Sequence, residues 1–262
     1  MEIILDNVKN KSLNINMTIN SNHVTGITGN IYKEVLHLIN LDYYVQGKLL
    51  IDKVKVDKRN YNKLKEKISY VDFELKKELS LIAVREYMEY IMQEKLIKVK
   101  DSKKKIIDSI KIVGLNQTIL DKNINVLAKS EVKLIQIAIA LLSNPEIIIL
   151  DDPFKFLDLK NSKKLYMLLL KLKEQYKKVI IIGSNDSNIL YKYTDKIVFL
   201  KNNQVLLEGD TKLLYEKVSY LKKNKFEIPD IVKFTYKAKK KKIKIDYHKD
   251  IRDLIKDIYK HV

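Results

Sequence analysis

The sequence predicts an α/β protein organised around a parallel sheet. Two similar apolar runs carry that reading, Ile147-Ile148-Ile149-Leu150 and Val179-Ile180-Ile181-Ile182. Unbroken apolar runs rich in β-branched residues fit strands buried on both faces. A helical pattern from about Lys160 to Lys173 lies between them and completes a strand–helix–strand unit. The third observation is a β-rich opening, in which Leu13 to Ile19 alternates apolar and polar side chains.

The remaining elements follow in chain order. Ile3-Ile4-Leu5 reads as a first strand and Leu13 to Ile19 as a second. A short third strand, His23-Val24-Thr25, runs into a loop that begins Gly26-Ile27-Thr28-Gly29-Asn30. Val35, Leu36, Leu38 and Ile39 then mark a helix, and Gly47 punctuates the chain before a strand over Lys48 to Asp52. From about Ser80 to Ile112 the spacing of Leu81, Val84, Tyr87, Met88 and Ile91 is helical, with a polar break expected over Lys98 to Lys105. A helix over Ser130 to Leu142 ends at Ser143-Asn144-Pro145. Beyond the two apolar strands, Lys196 to Leu200 and Gln204 to Leu207 form a hairpin-like pair. From about Thr211 a lysine-rich tail reads as a small helical appendage.

Composition narrows the class. A chain of 262 residues with 46% apolar content fits one large domain, or one domain with an appendage. No apolar run reaches the roughly 18 residues of a membrane-spanning helix, and Met1 to Asp6 is not read as a signal peptide. Cysteine is absent, which removes disulfides and thiolate metal sites and suits the cytosol. His23, His37, His248 and His261 show no metal-ligand spacing. The net charge of +18 fits an anionic membrane surface or nucleic acid. Abundant Lys, Ile and Asn read as compositional bias, and only Arg59, Arg85 and Arg252 are available for the bidentate contacts that specific nucleic-acid readers favour. Nucleic acid is therefore not the expected partner.

In open α/β sheets ligands bind at the carboxyl ends of strands. Three strand ends carry candidate residues: Gly26 to Lys33, Asp151-Asp152, and Ser184-Asn185-Asp186. Asp151 is placed to hold Mg²⁺ directly or through water, and Asp152 to orient a water as base. The same Asp-Asp-Pro is equally ordinary turn chemistry. A phosphate cradle needs small residues whose backbone N–H groups wrap the anion, then a Lys and a hydroxyl residue. Gly26 and Gly29 are present, but Lys33 is followed by Glu34 and Val35.

Leu127-Ala128-Lys129-Ser130-Glu131, the helix through Leu142, Ser143-Asn144-Pro145-Glu146, Ile147 to Leu150 and Asp151-Asp152-Pro153 together resemble the signature-to-Walker-B block of ATP-binding-cassette (ABC) ATPases, in order and spacing. Phe154 to Asp158 resembles the D-loop, Asn185 falls at the switch histidine, Lys201 to Gly209 resembles the closing strand pair, and the Gly26 loop sits at Walker A. Leu221 to Tyr259 is similar to the C-terminal extension of the ATPase components of energy-coupling factor (ECF) transporters. The resemblance implies an ABC-type nucleotide-binding domain over 1–213, with a mixed sheet core, an N-terminal antiparallel β part and a helical subdomain at about 79–145, followed by an extension over 214–262. It implies ATP and Mg²⁺ as cofactors, a second ABC ATPase subunit and a transmembrane coupling protein as partners, and a peripheral place on the cytoplasmic face of the membrane. Gly26, Gly29, Asn30, Lys33, Lys129 and Ser130 would handle the nucleotide, Asp151 the metal, and Asp152 and Asn185 the chemistry. Part of the stretch from Leu81 to Ile91 would touch the membrane subunit, although core packing accounts for most of those side chains.

The departures are as informative. The Walker A loop is short, so the gap can be placed in more than one way and Lys33 is only the candidate lysine. Ala128-Lys129-Ser130 replaces Ser-Gly-Gly, and Asp152 is one methylene shorter than the family's Glu, by about 1.5 Å. A displacement of about 1 Å is worth on the order of 10²-fold in rate. Asn185 cannot carry a proton as a histidine does, and Asp72-Phe73 stands where a glutamine is expected. The expected function is thus an ABC or ECF ATPase-like subunit, weakly active or inactive, in a heterodimer powering solute uptake. The alternatives are an active ATPase with atypical motifs and a soluble ABC-fold module that binds nucleic acid.

Overall fold

The structure, a computed structural model, describes residues 1–10, 13–43, 45–73, 81–94 and 101–260. Among these residues ten strands form one sheet: β1 (Glu2–Asn10), β2 (Leu13–Asn20), β3 (Val24–Gly29), β4 (Gln46–Ile51), β5 (Val54–Lys55), β6 (Ile68–Val71), β7 (Ile147–Asp151), β8 (Val179–Gly183), β9 (Lys196–Lys201) and β10 (Gln204–Asp210). Their spatial order is β5-β4-β1-β2-β10-β9-β3-β8-β7-β6. The strands β9, β3, β8, β7 and β6 run parallel, whereas β1, β2, β4 and β5 are antiparallel. This is the expected α/β fold with a mixed sheet and an antiparallel N-terminal part.

The apolar runs explain the layering. Successive side chains of a strand face opposite sides. Ile147, Ile149, Val179 and Ile181 therefore join a core with Ile3, Ile15, Ile19, Leu36 and Leu38. Ile148, Leu150, Ile180 and Ile182 join the opposite core with Leu134, Ile137, Leu165 and Leu169. Every residue of β7 and β8 is buried, as strands covered on both faces must be.

Helix α1 (Tyr32–Ile39) follows β3, and α2 (Tyr61–Lys65) precedes β6. The helical middle comprises α3 (Val84–Glu94), α4 (Ser102–Ile112) and α5 (Lys129–Leu142). Val84, Tyr87, Met88 and Ile91 are buried here, while Leu81 is 70% exposed. The expected break from Lys98 lies partly outside the described residues. Its later part is the first turn of α4, where the Asp101 carboxylate accepts the Lys104 N–H at 3.2 Å and caps the helix. Ser80 and the expected start of the helical subdomain at 79 also lie outside the described residues. Helices α6 (Leu159–Glu174) and α7 (Ser187–Tyr193) connect β7, β8 and β9.

The C-terminal segment contains α8 (Thr211–Tyr215), α9 (Val218–Lys223), α10 (Asp230–Lys240) and α11 (Ile251–Lys260). Leu214, Tyr215, Val218, Leu221, Ile228, Val232 and Tyr247 are continuous with the main core through Leu190, Tyr191 and Phe199. Lys249 donates to the Thr194 carbonyl at 2.6 Å, and Ala238, Ile245 and Leu254 form a small core of their own.

One expectation is corrected. Gly26 to Gly29 do not form a loop: all four lie in β3, paired with β9 throughout and with β8 as far as Ile27. The only connection between β3 and α1 is Asn30-Ile31. The strand continues because Gly29, at φ 122°, lies against Leu200; a Cβ there would meet the Leu200 carbonyl oxygen at 2.0 Å.

Candidate functional site

The order β3-β8-β7 sets the carboxyl ends of three parallel strands side by side. Candidate residues far apart in sequence therefore meet. Asp151 ends β7 and is 4% exposed. Its Oδ1 accepts the Tyr32 hydroxyl at 3.0 Å, and its Oδ2 lies 3.2 Å from the Lys33 ammonium and 3.5 Å from the Tyr70 hydroxyl. Burial raises the Tyr32 phenol far above its ordinary pKa, and the nearby Asp152 and Asp151 carboxylates raise it further. Burial and Asp151 do the same to Tyr70. Both phenols are thus neutral donors to a carboxylate.

The Tyr32 ring is fixed by packing. It is the first residue of α1 and lies against Gly183, where an added Cβ would come 2.9 Å from Tyr32 Cδ2 and 2.4 Å from Leu36 Cδ1. Only glycine fits beneath it.

Asn185 follows β8 and reaches across to β3. Its side-chain oxygen accepts the Gly29 N–H and the Thr28 hydroxyl, each at 3.0 Å. Ser184 lies between: its N–H donates to the Ile27 carbonyl at 3.1 Å, and its hydroxyl donates to Asp152 Oδ1. Asp152 adopts φ 50° and its N–H donates to the Gly183 carbonyl at 2.8 Å. The backbone carbonyl of Asp152 in turn accepts the Lys133 ammonium.

Lys133 was not singled out from the sequence. It lies on the buried face of α5, 4.1 Å from the centre of the Phe73 ring. Burial lowers its pKa to about 8, with Asp152 and Asp151 opposing. The sequence signal was a lysine among Leu134, Ile137 and Ala138, on a helix whose other buried positions are mostly apolar. Tyr32 and Tyr70 were also missed, since tyrosine beside a strand end carries no motif.

The other candidates are placed differently. Gly26 is buried in mid-strand, where a Cβ would meet Leu190 and Thr194 at 3.0 Å, and Asn30 is exposed on the two-residue connection. Lys129 and Ser130 begin α5, with the Lys129 ammonium 4.8 Å from the centre of the exposed Phe156 ring. The Glu131 carboxylate accepts the Ala128 N–H at 2.9 Å, which fixes the start of that helix. Asp158 caps α6 by accepting the Asn161 N–H at 2.7 Å. Among the described residues no cluster of His, Cys, Asp or Glu is arranged to hold a metal ion, and no helix is long and apolar enough to cross a membrane.

Comparisons place this arrangement among known proteins. The family model described as ABC transporter matches residues 13–155. A Pyrococcus furiosus protein named as an ABC transporter ATP-binding protein is 27% identical over 228 residues, covering 85% of this chain and 82% of the relative. An energy-coupling factor transporter ATP-binding protein of Clostridium perfringens is 25% identical over 224 residues, covering 83% of this chain and 78% of the relative. Among solved structures, part of an ABC transporter complex from Clostridium perfringens superposes with a TM-score of 0.72 at 24% identity, over 90% of this chain and 98% of that one. A dimeric ATP-binding cassette bound to ADP and Pi superposes with a TM-score of 0.67 at 24% identity, over 80% of this chain and 99% of that one.

Proposed function

The chain belongs to the ABC transporter family, and from that premise we propose that it is the weakly active or inactive ATPase-like subunit of a transporter, paired with a second, competent ATPase subunit. The observation that carries this reading is the passage from β3 to α1 through Asn30-Ile31 alone. A phosphate cradle is built from consecutive backbone N–H groups aimed into one concavity, and a two-residue connection offers too few of them. MgATP, the group the family implies, fits the residues here poorly: Gly29 N–H is bound by Asn185 and Asp151 by Tyr32 and Lys33.

Other features support the same assignment. Lys129 puts a long cationic side chain at a signature position where backbone would otherwise approach phosphate, and Asp152 is bound to Ser184 in place of a free base. Relatives named as energy-coupling factor ATP-binding proteins support ECF-type partners. On this reading the chain docks on a transmembrane coupling protein at the cytoplasmic face, and the partner ATPase supplies the turnover that drives uptake of a small solute.

The decisive experiment is affinity purification of the tagged chain from source membranes in mild detergent. The expected companions are an ABC ATPase with intact motifs and a polytopic membrane protein. Recovery of the chain solely in the soluble fraction, alone or with nucleic acid, would overturn the proposal.

A further inference from the structure

We propose that Tyr32, with Lys33 and Tyr70, is a built-in replacement for nucleotide and metal at Asp151, so that the chain's own side chains close its nucleotide site. This inference rests on the functional reading above and deepens it. A site that has merely lost motifs would leave an unpaired carboxylate at a buried strand end, and burying an unpaired charge is strongly unfavourable. The opposite is found. Asp151 receives a phenol on one oxygen, and an ammonium and a second phenol on the other.

A cation at Asp151 would have to compete with donors already set on both carboxylate oxygens. Mg²⁺ requires near-octahedral oxygen ligands and keeps several of its waters. The Tyr32 ring lies against Gly183 with its hydroxyl on Asp151, and both carboxylate oxygens already accept donors. On the phosphate side, the side-chain oxygen of Asn185 takes the Gly29 N–H as a phosphate oxygen would. The short β3–α1 connection is what places Tyr32 there. It starts α1 at Tyr32, after only two intervening residues, so the first helical residue meets β7 in place of a phosphate.

The consequence is a subunit whose strand ends are held together without ligand. Calorimetric unfolding of the purified full-length chain tests this, because the ligand response, the Asp151 carboxylate and the Tyr32 hydroxyl each have their own readout. The wild-type midpoint should be the same with millimolar MgATP, Mg²⁺ alone or EDTA. Asp151→Asn should lower the midpoint by about 5 °C with no nucleotide present, since it leaves Lys33 and the Tyr32 hydroxyl without their charged acceptor. Tyr32→Phe, which keeps the ring against Gly183, should lower it by about 3 °C. The double variant should lose little more than Asp151→Asn alone, as expected for groups sharing one interaction.

An unchanged midpoint in both single variants, with no response to MgATP, would remove this inference and leave the transporter reading standing. A clear rise of the wild-type midpoint with MgATP would remove this inference, because the site would then take the nucleotide it is said to replace, while the transporter reading would still stand or fall on co-purification. If Asp151→Asn fails to fold, Tyr32→Phe and the wild-type response to ligand still decide.

Discussion

Lys133 shows how one side chain can depart from its ordinary chemistry without any ligand. Its ammonium is enclosed between the Phe73 ring and the Asp152 carbonyl, and burial lowers its pKa from 10.5 to about 8. In the unfolded chain lysine keeps its proton to about 10.4. Between those values the unfolded state binds more protons, so stability rises with pH; below about 8 both states are protonated and the dependence vanishes. Lys133→Met should therefore reduce the rise in stability between pH 8 and 10 that the wild type shows in denaturant titrations; equal slopes for the two proteins would refute this. Asp195 is the opposite case. Burial opposes its charge, but the Val24 N–H at 2.8 Å and the Lys173 ammonium at 3.0 Å outweigh burial and hold its pKa below the ordinary value. Asp195→Ala leaves Lys173, which is 12% exposed, with only the 4.0 Å contact to the Glu174 carboxylate among the described residues, and should cost about 3 kcal/mol of unfolding free energy. At this scale the sequence was half legible. Asp151, Asp152, Gly29 and Asn185 could be found because strand ends converge in a parallel sheet. Tyr32, Tyr70 and Lys133 could not, because what each touches depends on the length of one connection and the register of a helix against a strand.

Elements were read with more success where burial alone dictates them. β7, β8 and α6 follow from apolar runs and an amphipathic spacing that leave no other low-energy arrangement. The short β5 and α2 carried no such pattern, with both residues of β5 exposed and only Leu64 buried in α2. The glycines of β3 misled for a physical reason: Gly26 and Gly29 suggested a turn, whereas the sheet uses their lack of a Cβ for close packing against Leu190, Thr194 and Leu200. The same reasoning applies to Gly183 at the end of β8. An alanine there would push Leu36 and Tyr32 out of place and should cost about 2 kcal/mol through overpacking. A thermal midpoint within 1 °C of wild type for Gly183→Ala would show that α1 shifts freely, and with it the close packing claimed for Tyr32 would fail.

At the scale of the molecule, the C-terminal helices and the cassette are tied by one core, which bears on what can be removed and what can be silenced. Leu214, Tyr215, Leu221 and Val232 cover Leu190, Tyr191 and Phe199. A chain ending after Asp210 would expose that surface, and exposed apolar patches of this kind drive aggregation. Such a truncation should be insoluble or unfold without cooperativity; a soluble product with the full-length midpoint would contradict it. Silencing follows the other way. If turnover belongs to the partner ATPase, the acidic end of β7 here contributes scaffold, since Asp152 is bound to Ser184 and Asp151 to Tyr32 and Lys33. A catalytic acid or base is worth on the order of 10²- to 10⁴-fold in rate. In the assembled transporter, Asp152→Asn in this chain should therefore change phosphate release by less than about twofold. Amide replacement of the partner's catalytic carboxylate should lower it by about 10²-fold or more. The two substitutions, measured in the same reconstituted complex, locate the chemistry: equal losses from both would mean that this chain hydrolyses ATP despite its closed site.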